Sequence, residues 1–390
     1  MIRRRDKAPP CLFLAPSTCN RRQGSASKDK AVPCLYHQTK LNMTNKAVHY
    51  SDYLQLDKIL NAQDLESDKL SLHAHDEMLF IIIHQAYELW FKQVLFEIDS
   101  AIAIMHQPMN DNSPELQTIV HRFNRCVTIL KVLVHQIDIM ETMTPMDFLD
   151  FRDMLRPASG FQSWQFKTIE AKLGLKFEHR HGQEYYTAQL RPQQVEIIKA
   201  AEHEKSLLEL VNSWLERMPF FDEQDNWKNF DGIEATNGNH TYWATYRECY
   251  RQSLSEAEFG NLAYFDDIFL QSDTLKAENG SLSAKANRAA LFIMLYRGYP
   301  ILQLPFQLLN SLLEIDEQLS IWRYRHMSMV QRIIGTRLGT GGSSGRDYLK
   351  AALDKHYIFK EIARLTSFLI ERRKLPELST EMEVRLGFLR

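Results

Sequence analysis

HDEMLFIIIHQAYELWFKQ, residues 75–93, is the stretch whose period decides the fold. Apolar residues run through it almost unbroken, with Glu77, His84, Glu88 and Lys92 spaced along it. The run continues to about Met105. At ~30 residues it makes a helix of ~45 Å. A helix that is apolar round much of its circumference belongs inside a protein. His84 is then either a satisfied core residue or the polar group of a buried pocket. A metal site with Glu88 is a third reading, but the paired Glu-x-x-His motifs of di-iron bundles are missing.

Helical signals continue outward from this segment. Glu115–Met140 predicts a second long helix beyond the break at Pro108–Pro114. Thr144-Pro-Met-Asp147 is a helix start: Thr144 can cap, Pro145 suits the first position, and Asp147 favours the positive end. That helix is expected to reach about Leu155 and stop at Pro157. Phe161–Leu173 follows, closed by Gly174. Further helices fit Gln193–Met218, Thr241–Ser272, Ala284–Leu313, Leu319–Ile334 and Asp347–Glu371. No alternating strand pattern, hairpin signal or internal repeat is present. The fold class is all-α, with residues 47–390 forming one domain behind an N-terminal tail of residues 1–46.

The bulk composition is that of an ordinary globular protein: 390 residues, 44% hydrophobic and 25% charged, with a net charge of −2. Nothing in that balance points to nucleic acid or a membrane surface. The tail is the exception. It holds ten Lys/Arg and two Asp/Glu, which leaves the remainder at −10. It is expected to be disordered, since Pro9, Pro10 and Pro16 would break an amphipathic targeting helix. Met43 is a candidate alternative start. Three of the five cysteines lie in the tail, and only Cys126 and Cys249 are in the body. Two thiols without finger spacing read as reduced cysteines in a cytoplasmic protein. No run is long and apolar enough for a transmembrane helix.

Three places could carry chemistry. Phe80 and His84 share a helix face four residues apart. Phe148 and Arg152 repeat that arrangement, and an arginine fork suits a carboxylate; the plain alternative is a surface salt bridge to Asp147 or Asp153. In SIWRYRHMSMVQRI, residues 320–333, Trp322, His326, Met329, Val330 and Ile333 fall on one stripe, with Arg323, Arg325 and Arg332 off it. A helical histidine among large apolar groups is how an axial haem ligand is presented, and also how a core histidine looks. The loop GTGGSSG, residues 339–345, is not a Walker motif. No hydrolase triad or Gly-x-Gly-x-x-Gly is present.

Together, HDEMLFIIIHQAYELWFKQ (75–93), TPMDFLDFRDMLRPASGFQS (144–163) and WRYRHMSMVQRIIGTRLGTGGSSG (322–345) resemble the tryptophan 2,3-dioxygenase family from about Tyr50 to residue 371. Met78 stands where that family leads one to expect histidine. The resemblance implies a large all-α haem-binding domain with one haem b per subunit. It implies a homotetramer whose N-terminal segments cross between subunits. The implied activity is insertion of O2 across the indole C2–C3 bond of L-tryptophan, giving N-formyl-L-kynurenine, the first step of the kynurenine pathway. His326 is implied as the axial iron ligand, with Ser159 near the haem edge. His84 is implied as the distal group that accepts the indole N–H, and Phe80 and Phe148 as pocket walls. Arg152 is implied as the carboxylate clamp, Thr340 as a contact to the ammonium and carboxylate end, and Tyr50 and Tyr53 as residues reaching a neighbour's site. A haem-binding sensor on the same fold would need the pocket but not Arg152 and Thr340.

Overall fold

The computed structural model describes residues 47–108, 113–180, 183–218, 227, 230, 241–270, 281–335, 337, 349–350, 353 and 355–387. The basic tail and the loop 339–345 lie outside them. Among the described residues the chain is helix and turn without strand. It forms two compact units, Met1–Ile59 and Leu60–Arg390. The described part of the first is α1 (Tyr50–Leu54) and the start of α2 (Leu56–Leu60), which bury no residue.

In the second unit, α3 (Glu66–Lys69) is a single turn leading to α4 (Asp76–Met105). α4 buries Ile83, Tyr87, Phe91, Val94, Ile98, Ala101 and Met105, which recur every three or four residues. Each large side chain so buried contributes roughly 1.5–3 kcal/mol. The two carboxylates buried in α4 have partners. Glu77 accepts the Glu66 and Ser67 N–H groups at 2.8 and 2.9 Å and so caps α3. Glu97 pairs with Arg125 at 2.7 Å and Arg122 at 3.3 Å on α5 (Pro114–Met140).

α6 (Pro145–Arg152) starts on the capping box expected there: Asp147 N–H donates to the Thr144 hydroxyl and Thr144 N–H to the Asp147 carboxylate. It ends at Arg152 and tightens into a 3-10 turn over Asp153–Leu155. The Phe161–Leu173 segment is likewise split. Gly160–Gln162 is a 3-10 turn, and α7 (Trp164–Leu173) begins after the Ser163 cap. Gly174 closes it at φ 138, where an added Cβ would come within 2.9 Å of Leu208 Cβ.

Five expected helices divide differently. Gln193–Met218 becomes α9 (Pro192–His203), after the short α8 (Gln183–Tyr186), and α10 (Leu207–Leu215). The break is a Ser206/Glu209 capping box, with Ser206 N–H donating to Glu209 at 2.8 Å. Thr241–Ser272 breaks in the same way at Ser255/Glu258, giving α11 (Thr241–Ser253) and α12 (Asn261–Phe269). Ala284–Leu313 stops early as α13 (Ala284–Leu295). Pro300 then starts α14 (Pro300–Ile334), 35 residues that run straight through the expected gap before Leu319. Within that gap Asp316 is buried, and its carboxylate accepts the Phe359 N–H at 2.5 Å. Of Asp347–Glu371, residues 356–359 are not helical, and helix resumes over Lys360–Arg364.

α5 lies between α4 and α14, and α7 packs on α4 and α9. A second aromatic core joins α11, α12 and α13, where Tyr242, Trp243, Tyr246, Phe265, Phe269 and Phe292 are fully buried. The long helices α4, α5 and α14 form the frame on which the pocket is built.

Candidate active site

α4, α5, α6, α7 and α14 enclose a cavity of about 300 Å³. His84 lies on its wall, one turn beyond Phe80. The His84 Nδ1 is 2.7 Å from the Phe80 carbonyl oxygen. A carbonyl can only accept, so Nδ1 carries the proton and Nε2 keeps the lone pair. Burial lowers the His84 pKa, and the bond to Phe80 and the charge of Glu88 oppose this only in part. The ring is therefore neutral. Glu88 itself accepts from the Gln165 amide at 2.7 Å.

The Phe80 and His84 ring centroids are 4.1 Å apart. Phe148 lies 5.7 Å from Phe80, and Phe151 stands edge-on to Phe148 at 5.4 Å. The Thr144 cap sets the rotation of α6, which puts Phe148 and Arg152 one turn apart on the cavity side. Arg152 is 4% exposed, so it is no surface salt-bridge residue. Asp147 is bonded to Thr144 in the cap, and Asp153 pairs with Arg156 at 3.1 Å. Ser159 lines the cavity while its hydroxyl accepts the Phe161 N–H.

His326 faces the cavity from α14. The Trp322 ring lies parallel to it, 5.1 Å away and 5° off plane, and packs in turn on Phe166 at 5.0 Å. Burial pushes the His326 pKa down to about 4, with the nearby His84 adding to the effect. The imidazole is neutral, the form that ligates a metal. Its Nδ1 is buried without a hydrogen-bond partner.

The far end of the cavity carries a charge cluster that sequence reasoning missed. The buried Glu170 carboxylate pairs with Arg180 at 2.6 Å and Arg323 at 2.7 Å, and lies 3.6 Å from His356 Nδ1. Burial alone would raise the Glu170 carboxyl, but Arg180, His356 and Arg323 hold it well below its usual range. Arg323 is off the apolar stripe of α14 and is buried all the same. No local spacing signals a cluster drawn from four separated segments. The Trp322 stacking was partly legible, because Trp322 and His326 share a stripe.

The cavity thus unites Phe80, His84, Phe148, Arg152, Ser159 and His326. Tyr50 and Tyr53 belong to the first unit, where they are 69% and 76% exposed. Thr340 lies outside the described residues.

The chain is thus an all-helical pocket protein, whose aromatic cavity brings together a neutral histidine from each of two helices and several buried cations. The chain belongs to the tryptophan 2,3-dioxygenase family, which matches residues 36–369. The tryptophan 2,3-dioxygenase of Alteromonas mediterranea is 45% identical over 354 residues, covering 87% of this chain and 97% of its own length. That of Dictyostelium discoideum is 42% identical over 362 residues, with 88% and 89% covered. That of Xenopus tropicalis is 41% identical over 358 residues, with 88% and 87% covered.

Proposed function

We propose that this chain catalyses the reaction of its family, the addition of O2 to L-tryptophan with cleavage of the indole C2–C3 bond to give N-formyl-L-kynurenine. Both oxygen atoms enter the product, so the overall reaction needs no external oxidant or reductant. The observation that carries the reading is the single cavity holding His84, Arg152 and His326 in a chain of this family.

The residues fit a haem b, one per subunit. His326 is neutral and half-buried, with a buried Nδ1, and lies flat against Trp322; it would hold the haem iron. Ser159 stands at the cavity wall as a donor to the haem edge. When bound, the haem supplies the redox-active iron at which dioxygen is activated.

The protein's own task is orientation in dry surroundings. Phe80 and Phe148 wall the indole. His84 Nε2 accepts the indole N–H, since its Nδ1 is committed to Phe80. Arg152 holds the substrate carboxylate, and Thr340 contacts the ammonium and carboxylate end. A clamp at one end and aromatic walls at the other select for an amino acid bearing an indole.

The assembly we propose is a cytoplasmic homotetramer in which Tyr50 and Tyr53 complete a neighbour's site. Two observations support it. α1 buries none of its residues. On α4, Met78, Ile82, Leu89 and Phe96 form an exposed apolar stripe at helical spacing, as a subunit interface requires. Among the described residues no helix is long and apolar enough to cross a membrane.

The test is product analysis. Purified, haem-supplied protein is incubated with L-tryptophan, O2 and a reductant that keeps the iron ferrous. Formation of N-formyl-L-kynurenine is expected; its absence from protein with a normal Soret band overturns the reading.

A further inference from the structure

Lys167, on α7, lines the same cavity and is only 8% exposed. Its ammonium has no carboxylate at ion-pair distance among the described residues; its neighbour is the Tyr186 ring, 5.3 Å away. The nearest buried carboxylate, Glu170, is already shared by Arg180 and Arg323. Glu202 lies 3.6 Å from the Arg180 Nε, and burial raises its pKa. Three buried cations, Lys167, Arg180 and Arg323, therefore face two carboxylates, Glu170 and Glu202, and both of these are engaged by the arginines. Burial lowers the Lys167 pKa to about 8, with the charge of Arg180 adding to the effect and that of Glu170 opposing it. A buried lysine on a cavity wall with no carboxylate at ion-pair distance among the described residues gains from an anion that a ligand brings.

The position says which anion. Phe91 lies two turns beyond His84 on α4, ~10 Å away along the axis. It packs on Phe166, the residue before Lys167. Trp322, one turn before His326, touches both Phe91 and Phe166. The cationic end is thus displaced along the cavity from the Phe80–His84–Phe148 walls, and it adjoins the stacked pair Trp322–His326. A flat macrocycle held by His326, with carboxylates on one edge, would bring an anion to such a cationic end.

Resting on the proposed haem function, we infer that Lys167 is an anchoring residue for a carboxylate of the cofactor, the porphyrin propionate, at an anionic subsite formed with Arg180 and Arg323. Arg152, beside Phe148, serves the other carboxylate, that of the amino acid.

The readout is haem release from the holoenzyme to excess apomyoglobin, followed by the Soret band. Lys167→Met keeps the side-chain length and removes the charge. It is expected to speed release by about tenfold or more, the effect of losing a charge-assisted contact. Lys167→Arg is expected to stay near wild type. Wild type loaded with haem dimethyl ester should release it at least as fast as Lys167→Met releases haem, and esterification should speed release from Lys167→Met by a smaller factor than from wild type. The preference for tryptophan over tryptamine should be unchanged in Lys167→Met. Release at the wild-type rate from Lys167→Met overturns the inference. So does equal retention of haem and its diester by wild type, a comparison that stands even where Lys167→Met fails to fold. Loss of the tryptophan preference with unaltered haem release overturns it as well, since it assigns the subsite to the substrate carboxylate. Wild type without any Soret band overturns the haem function itself, whereas each of the preceding outcomes leaves that function standing.

Discussion

The Nδ1 of His84 stands 2.7 Å from the carbonyl oxygen of Phe80, one turn earlier on α4. The backbone of the helix thereby chooses the tautomer of the ring, and the choice is made before any substrate arrives. Replacing His84 by Ala is expected to weaken binding of tryptophan more than that of 1-methyltryptophan, which has no indole N–H to donate. Equal losses for the two ligands would show that the hydrogen bond is not the reason for the histidine.

The same ring sets a pH dependence. Burial lowers its folded pKa below the ordinary 6.5, so the ring takes up a proton only at lower pH than an exposed histidine. Activity with tryptophan should hold above that value and fall on acidification, with its midpoint below ~6.5. The stability linkage has the same sign. The unfolded chain binds the proton first, so the His84 contribution is complete above ~6.5 and declines as pH drops. A His84→Gln variant should lose this acid limb from the pH–rate profile.

His326 is expected to be indispensable for holding haem. Its neighbour Trp322, parallel at 5.1 Å, fixes the ring plane but offers the iron no ligand. His326→Ala should give protein with little or no Soret absorbance and almost no turnover. Normal haem content in that variant refutes the assignment.

Arg152 carries the test of the carboxylate clamp. Truncating one partner of a buried charge pair costs roughly 2–5 kcal/mol. Each ~1.4 kcal/mol is a factor of ten, so Arg152→Ala should lower kcat/KM for tryptophan by about 30-fold or more. Binding of tryptamine, which lacks the carboxylate, should change far less. A parallel loss for both compounds counts against the clamp.

Glu170 is predicted to be structural. It holds α7, α14 and the segment around Arg180 together through two ion pairs. Glu170→Gln leaves buried guanidinium groups without their anion and should cost roughly 3–5 kcal/mol. Denaturant unfolding measures this. A stability loss under about 1 kcal/mol, the size of an exposed pair, would be inconsistent with the role.

Subunit mixing tests the tyrosines. A Tyr50/Tyr53 double variant and an Arg152 variant, each inactive alone, are assembled together. If the tyrosines act across subunits, some mixed tetramers contain a site with intact Arg152 and a neighbour's intact tyrosines, and activity returns. Mixtures that remain as inactive as their parents show that the tyrosines serve their own subunit.

What the sequence determined by itself was local. Helix period and capping act over three or four residues, so the all-α class, the start of α6 at Thr144-Pro145 and the Phe80–His84 and Phe148–Arg152 pairs were all legible. The same short range carries the Ser206/Glu209 and Ser255/Glu258 boxes that split two expected helices, and Pro300, which opens α14. Tertiary structure alone decided which helix faces meet. Arg323 reaches Glu170 across 153 residues of chain, and Gln165 reaches Glu88 across 77. Such pairings depend on the rotation and crossing of α4, α7 and α14, which are set by the packing of whole apolar stripes and not by any one residue's neighbours in sequence. The burial of Lys167, and of Arg323, which lies off the apolar stripe of α14, follows from that packing alone.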